Sequence, residues 1–394
     1  MFISFTAKFC DQKKKQMPDK DIENNTDGSK SYLEKLLPTG FIDLIREERR
    51  FLILIGIFFF IAGATYETPQ IAMWVGFFFA AYSAIANDSI QTIGTFLASN
   101  ADRRWWVLWM FIGGIFIATV TYSWIVFDGD VTHQRLTAKG FENAPQTFSF
   151  LQVAAPLFLL ILTRLRMPVS TTFLLLSAFS ANLEGITSVL VKSLSGYFIA
   201  FTVAIVTWIL LSKALKKLFK GEPAKFWRPV QWVVSGSLWA VWLMQDAANI
   251  AVYLPRSLEL SQFMVFTGFI FCGLGILFYL KGDKIQQIVT EKSYVTDVRS
   301  ATVIDFVYAI VLYYFKVISV VPISTTWVFI GLLAGRELAM SITDREERGK
   351  SYKHSFRLIV KDAGYATIGL IVSIILAVAI NPVIYDELMA FLWP

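Results

Sequence analysis

Two short polar clusters interrupt the apolar stretches of this chain, Asn87-Asp88-Ser89-Ile90-Gln91 and Gln245-Asp246-Ala247-Ala248-Asn249. On a helix, Asn87 and Gln91 are four residues apart and Asp88 and Gln91 three, so they share a face. The same spacing puts Gln245 with Asn249 and Asp246 with Asn249. Each cluster offers carboxylate and amide oxygens, hard ligands suited to Na⁺. The amides also carry N–H donors that could meet an anion. A charged Asp in mid-membrane costs about 2.5–3.5 kcal/mol on insertion scales, so it needs a partner or a wet cavity.

A second pair of motifs follows the first. Pro168-Val169-Ser170-Thr171-Thr172 recurs as Pro322-Ile323-Ser324-Thr325-Thr326, and the offsets nearly agree: 158 residues from Asp88 to Asp246, 154 from Ser170 to Ser324. A weaker echo pairs Val191-Lys192 and Gly196-Tyr197 with Val360-Lys361 and Gly364-Tyr365. Proline suits the first helical turn, where its missing N–H is not needed. Free backbone N–H groups after it, with hydroxyls on the same turn, would form an oxyanion cradle at the positive end of a helix dipole. Helix capping is the plainer use of Ser and Thr, but two copies, each matched to an Asp cluster, favour the cradle. Polar interruptions in corresponding halves of an apolar chain point to a transporter binding site.

The elements that must hold these residues are membrane spans. Hydrophobic residues make up 55% of the chain, charged residues 17%, and the mean hydropathy is +0.55. A soluble domain carries about 25% charge, so the chain belongs in a bilayer. Apolar runs lie near 51–66, 71–98, 105–127, 148–163, 167–191, 192–212, 229–256, 262–281, 301–318, 321–340 and 358–381. The two that carry Ser-Thr-Thr read as hairpins or broken spans with protein-buried tips. The fold expected is an all-α polytopic membrane protein of two inverted-topology repeats, with broken or re-entrant helices at a midplane site.

Basic residues cluster at Arg103-Arg104, Arg164 with Arg166, 213–228, Lys281 with Lys284, and Arg345 to Arg357, which should be cytoplasmic, while 128–147 suits the outside. Eleven crossings satisfy this, with a cytoplasmic amino end and an external carboxyl end, most simply in a bacterial plasma or inner membrane. The span with Asp88 then runs inward and the span with Asp246 outward. This divides the chain into a polar tail and amphipathic helix at 1–50, a first half at 51–212, a basic linker at 213–228 and a second half at 229–394. The tail lacks the apolar core and cleavage site of a signal peptide.

The net charge of +6 sits at the ends of apolar runs and marks topology, not nucleic-acid binding. Cys10 and Cys272 form no disulfide frame, and His133 and His354 have no second ligand at metal spacing. Lys192 and Lys361 read as snorkelling to an interface. No nucleophile–His–acid set, metal cluster or phosphate loop is present, so no enzyme and no cofactor is expected.

Asn87-Asp88 with Gly94-Thr95, the doubled Pro-x-Ser-Thr-Thr and the inverted halves together resemble the inorganic phosphate transporter (PiT) family of symporters. The resemblance covers roughly residues 70–380. It implies one phosphate, with its coupling Na⁺, held between motifs of both halves. Carried over residue by residue, substrate would meet Asp88, Ser170, Thr171, Thr172, Asp246, Asn249, Ser324, Thr325 and Thr326, and Gln91, on the face of Asp88, is added to them as a candidate. The cation would meet Asn87, Asp88, Gln245, Asp246 and Asn249. The chain departs from the family pattern at Gln91 and Gln245, which replace Asn. It departs again at Phe173 and Trp327, where His is frequent, and 105–127 and 262–281 lack the Glu that members tend to carry there. H⁺ therefore stands beside Na⁺ as coupling ion. Sulfate stands beside phosphate, because similar relatives carry it. The function expected is phosphate import by cation symport with alternating access. An anion channel is the alternative mechanism, and a homodimer is an admissible assembly.

Overall fold

The computed structural model describes residues 48–164, 169–218, 221–280, 297–343 and 352–393. The tail at 1–47, Pro168, and the basic stretches at 281–296 and 344–351 lie outside the described residues, as do the side chains of Asn87, Gln91, His354, Lys361 and Asp362. What is described is helical: α1 (48–65), α2 (Pro69–Ser83), a π-helical turn (Ala84–Asp88), α3 (Ser89–Ser99), α4 (Trp105–Val126), α5 (Phe150–Arg164), α6 (Thr171–Ser177) and α7 (Leu183–Leu218). The second half contributes α8 (Trp227–Ala251), α9 (Leu260–Tyr279), α10 (Val298–Ile318), α11 (Thr325–Thr343), α12 (Tyr352–Ile380) and α13 (Pro382–Leu392).

Five helices among the described residues are long and apolar enough to cross a membrane: Pro69–Ala86, Trp105–Val126, Leu183–Leu211, Leu260–Tyr279 and Val298–Ile318. Their surroundings are turned inside out relative to a soluble protein. Phe60, Leu210 and Val233 are 77%, 74% and 69% exposed, whereas Asp88 and Asp246 are each 2% exposed. Apolar side chains outside and carboxylates inside are what a lipid solvent demands.

The helix ends sort onto two faces. On one, Arg228 binds Asp102 at 2.8 Å, Asn100 donates to Gln231 at 3.0 Å, and Arg299 donates to the Gly221 carbonyl at 3.0 Å. On the other, the 127–149 loop meets 252–259 through Leu258 N–H to the Gly129 carbonyl and Arg256 to the Phe141 carbonyl. It meets the α6–α7 turn through Ala181 N–H to the Gly140 carbonyl, and Lys316 near the end of α10 through the His133 carbonyl. Leu183 in turn takes Glu387 of α13. Tracing the chain between faces makes α2–α3, α4, α5, α6 and α7 each run opposite in sense to its counterpart, α8, α9, α10, α11 and α12 respectively.

The halves interlock. α11 packs on α7 and α9 on α4. A methyl on Gly331 would lie 2.4 Å from the Tyr197 carbonyl oxygen, and one on Gly335 2.2 Å from that of Phe201. This small-xxx-small spacing lets two backbones touch, the packing that substitutes for hydrophobic drive in lipid.

Several boundaries differ from the sequence reading. The runs 167–191 and 192–212 are not two spans: α7 passes unbroken through Lys192, because nothing there breaks a helix, and absorbs linker residues up to Leu218. The two Ser-Thr-Thr segments are not alike. α6 has seven residues and turns into α7, a broken span, whereas α11 continues for 19. At roughly 10 Å long, α6 cannot cross a hydrocarbon core of about 30 Å. α13 was not expected. Asn381 before it donates to the Ser177 and Ser180 carbonyls at 2.8 and 2.9 Å, anchoring the end of α6.

The two faces give a topology test. In a protein with Cys10→Ser and Cys272→Ser, single cysteines at exposed Thr137 and Glu222 should label from opposite sides of the membrane. Labelling of both from one side would contradict the tracing.

Candidate functional site

Asp88 ends the π-helical turn, where one extra residue per turn re-aims a side chain, a device common at functional sites. Ser89 and Thr92 donate back to the Ile85 and Asp88 carbonyls at 2.6 and 3.3 Å, engaging backbone acceptors around the distortion. Asp246, by contrast, lies in regular α8, so Asn249 stands one turn on and donates to its Oδ1 at 2.6 Å. Asn249 also donates to Thr172 Oγ1 at 3.1 Å.

Thr172 ties the halves together. Its hydroxyl lies 3.4 Å from Asp246 Oδ1 and 3.2 Å from the Ile323 carbonyl, so α6 meets both α8 and the residues before α11. Thr325 hydrogen-bonds Asp246 as well, and Asp88 lies within electrostatic reach of it. Tyr308 of α10 donates to the Thr325 carbonyl at 3.0 Å and closes the group. Asp88, Thr172, Asp246, Asn249 and Thr325 thus share one buried locus drawn from both halves.

Other expected residues take other roles. Ser170 and Ser324 cap their helices, accepting from Phe173 N–H at 3.0 Å and Trp327 N–H at 3.3 Å. Pro322 sits outside α11, two residues before that cap, not in its first turn. It sets an extended approach, and the caps take up N–H groups the cradle reading left free. Gln245 turns to α10, donating to the Leu312 carbonyl at 3.0 Å. Thr326 is buried.

Among the described residues, several buried side-chain atoms lack a hydrogen-bond partner, against the strong tendency of buried polar atoms to be satisfied. They include acceptors (Asp246 Oδ2, Asn249 Oδ1, Gln245 Oε1) and atoms able to donate (Thr171 Oγ1, Trp327 Nε1, Arg135 Nη2). The acceptors suit a cation and the donors an oxyanion.

Two residues were missed by the sequence reading. Asp305 of α10 is 2% exposed and accepts from Thr95 at 2.7 Å and Ser235 at 2.5 Å, joining α3, α10 and α8. A lone Asp in an apolar run gave no signal without its partners. Arg135, fully buried, reaches inward from the 128–147 loop. Asp305→Ala should strand two buried hydroxyls, at about 1–3 kcal/mol each, and lower the melting temperature in detergent, with Asp305→Asn milder. An unchanged melting temperature with lost transport would move Asp305 from the scaffold into the site.

Fold and locus together define an all-α, multi-pass membrane protein with a polar centre shared between two halves. Among solved structures, the sodium-dependent phosphate transporter is similar in fold: TM-score 0.51 at 18% identity, covering 78% of this chain and 99% of that one. No family profile matches the chain, and no curated protein matches it. At that identity the likeness establishes a phosphate-transporter-like fold.

Proposed function

We propose that the protein is a secondary transporter that carries inorganic phosphate with a cation, by alternating access around the Asp88–Asp246 locus. One observation carries the reading: Asp246 and Asn249 keep unpartnered acceptors in the buried locus where they meet Thr172, and Thr171, next to Thr172 on α6, keeps an unpartnered donor. A carrier that moves a cation and an oxyanion together needs both kinds. Two carboxylates buried within reach of each other are costly unless a cation accompanies them. That need supplies the coupling, because the cation must arrive before a divalent anion is tolerated. The similar structure is named as sodium-dependent, which supports Na⁺ as the coupling ion over H⁺.

The acids also favour phosphate over sulfate. Hydrogen phosphate has an O–H that a carboxylate can accept, and sulfate has none. Thr171 and Thr325 would supply hydroxyls to the anion's remaining oxygens, with Thr172 and Asn249 holding Asp246 in place. The basic face would be cytoplasmic, in a bacterial plasma or inner membrane, and the halves 51–212 and 229–394 would act as inverted repeats. Calorimetry on purified protein in Na⁺ should find one phosphate bound per chain, with sulfate a weak competitor at neutral pH. Tighter binding of sulfate than of phosphate would overturn the assignment.

A further inference from the structure

Three cations converge beside the locus, on the face that carries the 128–147 loop: Arg135, with its unpartnered donor, and two lysines that have no part in the phosphate site. The loop is built to send Arg135 inward. Asp128, His133 and Gln134 adopt left-handed backbone at φ 48°, 52° and 63°, conformations that non-glycine residues rarely hold and that concentrate at functional sites. Asp130 fixes the turn, accepting from Thr132 N–H at 2.6 Å and Gln134 N–H at 2.7 Å. Arg135 then donates from Nε to the Met244 carbonyl at 3.2 Å and from Nη1 to the Ser319 carbonyl, with Asp246 within electrostatic reach. Its buried Nη2 has no acceptor.

Lys192 does not snorkel outward. Its Nζ donates to the Val321 carbonyl at 2.7 Å, on the segment that leads into Ser324-Thr325-Thr326. Lys316 donates to the His133 carbonyl at 3.3 Å and faces Asp130. Lys192 lies within electrostatic reach of both Arg135 and Lys316, so the three cations repel one another. Each ammonium has three N–H donors and spends one on a carbonyl. Both lysines are half-buried and Arg135 is fully buried, so the charges descend from the loop face toward Asp246.

We infer that Arg135, Lys192 and Lys316 form a second oxyanion subsite, which receives a divalent phosphate from the loop face before it passes to the paired acids. The inference rests on the proposed phosphate transport. A divalent anion approaching two buried carboxylates is repelled, and a preceding cluster of three cations offsets that field and raises the local anion concentration. The carbonyls that hold Arg135 and Lys192 belong to Ser319 and Val321, on the segment leading into α11, and to Met244, two residues before Asp246. Anion arrival is therefore felt at both Thr325 and Asp246.

The test uses full-length protein in proteoliposomes. Lys192→Gln and Lys316→Gln should each raise the KM for phosphate presented at the loop face by about tenfold, the size of one charge-assisted contact, with kcat little changed. The KM for phosphate presented at the opposite face should stay put. Raising ionic strength should raise the wild-type KM more than the variants'. Lys192→Arg and Lys316→Arg should restore the wild-type value. In unmutated protein, inorganic phosphate should protect both lysines from amine acylation, which keeps the inference testable should the Gln variants fail to fold. An unmoved KM in Gln variants that transport, or a lack of protection, would reduce the cluster to a clamp on the 319–321 segment. If unmutated protein takes up no phosphate, the proposed function and the subsite fall together; if it does, only the subsite is at stake.

Discussion

Asp246→Asn and Asp88→Asn should each cut phosphate uptake by about two orders of magnitude while leaving a protein that folds at least as well as the original. Asp246 Oδ1 accepts from Asn249 and lies within reach of Thr172, and Thr325 bonds the same carboxylate; an Asn carbonyl can still accept from Asn249 and Thr172. The hydrogen-bonded frame therefore survives. What disappears is one of two like charges buried together, whose removal stabilises the fold and abolishes the attraction for the coupling cation. Loss of a hydrogen bond to a charged group costs about 1.5–3 kcal/mol, or roughly tenfold to a hundredfold, before the loss of coupling is added. Melting temperature should hold or rise as activity falls, the trade expected where a site keeps strain for function. Near-normal uptake by both variants would remove the acids from the mechanism.

The second large effect concerns hydroxyls. Thr171 Oγ1 is buried and makes no hydrogen bond within the protein, whereas Thr325 bonds Asp246 and the Thr172 hydroxyl has Asp246 and the Ile323 carbonyl as alternative acceptors. Thr171→Val keeps the shape and deletes only an unused donor, so stability should hold or improve. If that donor faces the anion, phosphate affinity should drop tenfold to a hundredfold. Thr325→Val should weaken affinity similarly and also lower the melting temperature. The double variant should deviate from additivity, since both act on one ligand. Calorimetry beside thermal denaturation separates the two effects. Unchanged affinity in Thr171→Val would make these motifs structural and send the search for the anion site elsewhere.

Much of this was legible in the sequence. Apolar runs with basic ends encode the polytopic helical class, since only helices and closed barrels satisfy their backbone in lipid. The spacing of Asp246 and Asn249 encodes a shared helix face, because α8 is regular there. Where the chain departs from regular geometry, spacing alone misplaces a residue: the π-helical turn at Ala84–Asp88 shifts the register of Asp88 against α2. The doubled proline motif suggested two matching helix starts, but Pro322 lies before the Ser324 cap and directs the approach, not the first turn. α6 and α11 differ in length, seven residues against 19, and the end of α6 is held by Asn381 from far along the chain. Asp305 and Arg135 were invisible for the same reason. Their partners, Thr95 with Ser235 and the Met244 and Ser319 carbonyls, are tertiary.

The most direct measurement is uptake of labelled phosphate into proteoliposomes of purified protein, with Na⁺ and pH gradients imposed separately. An inward Na⁺ gradient should drive saturable accumulation of phosphate above its external concentration. Preloaded unlabelled phosphate should accelerate exchange, as a carrier requires and a channel does not. Accumulation under a pH gradient alone would keep the transporter but change its coupling ion. Phosphate that only equilibrates, unresponsive to either gradient, would contradict a cation-coupled carrier built around Asp88 and Asp246.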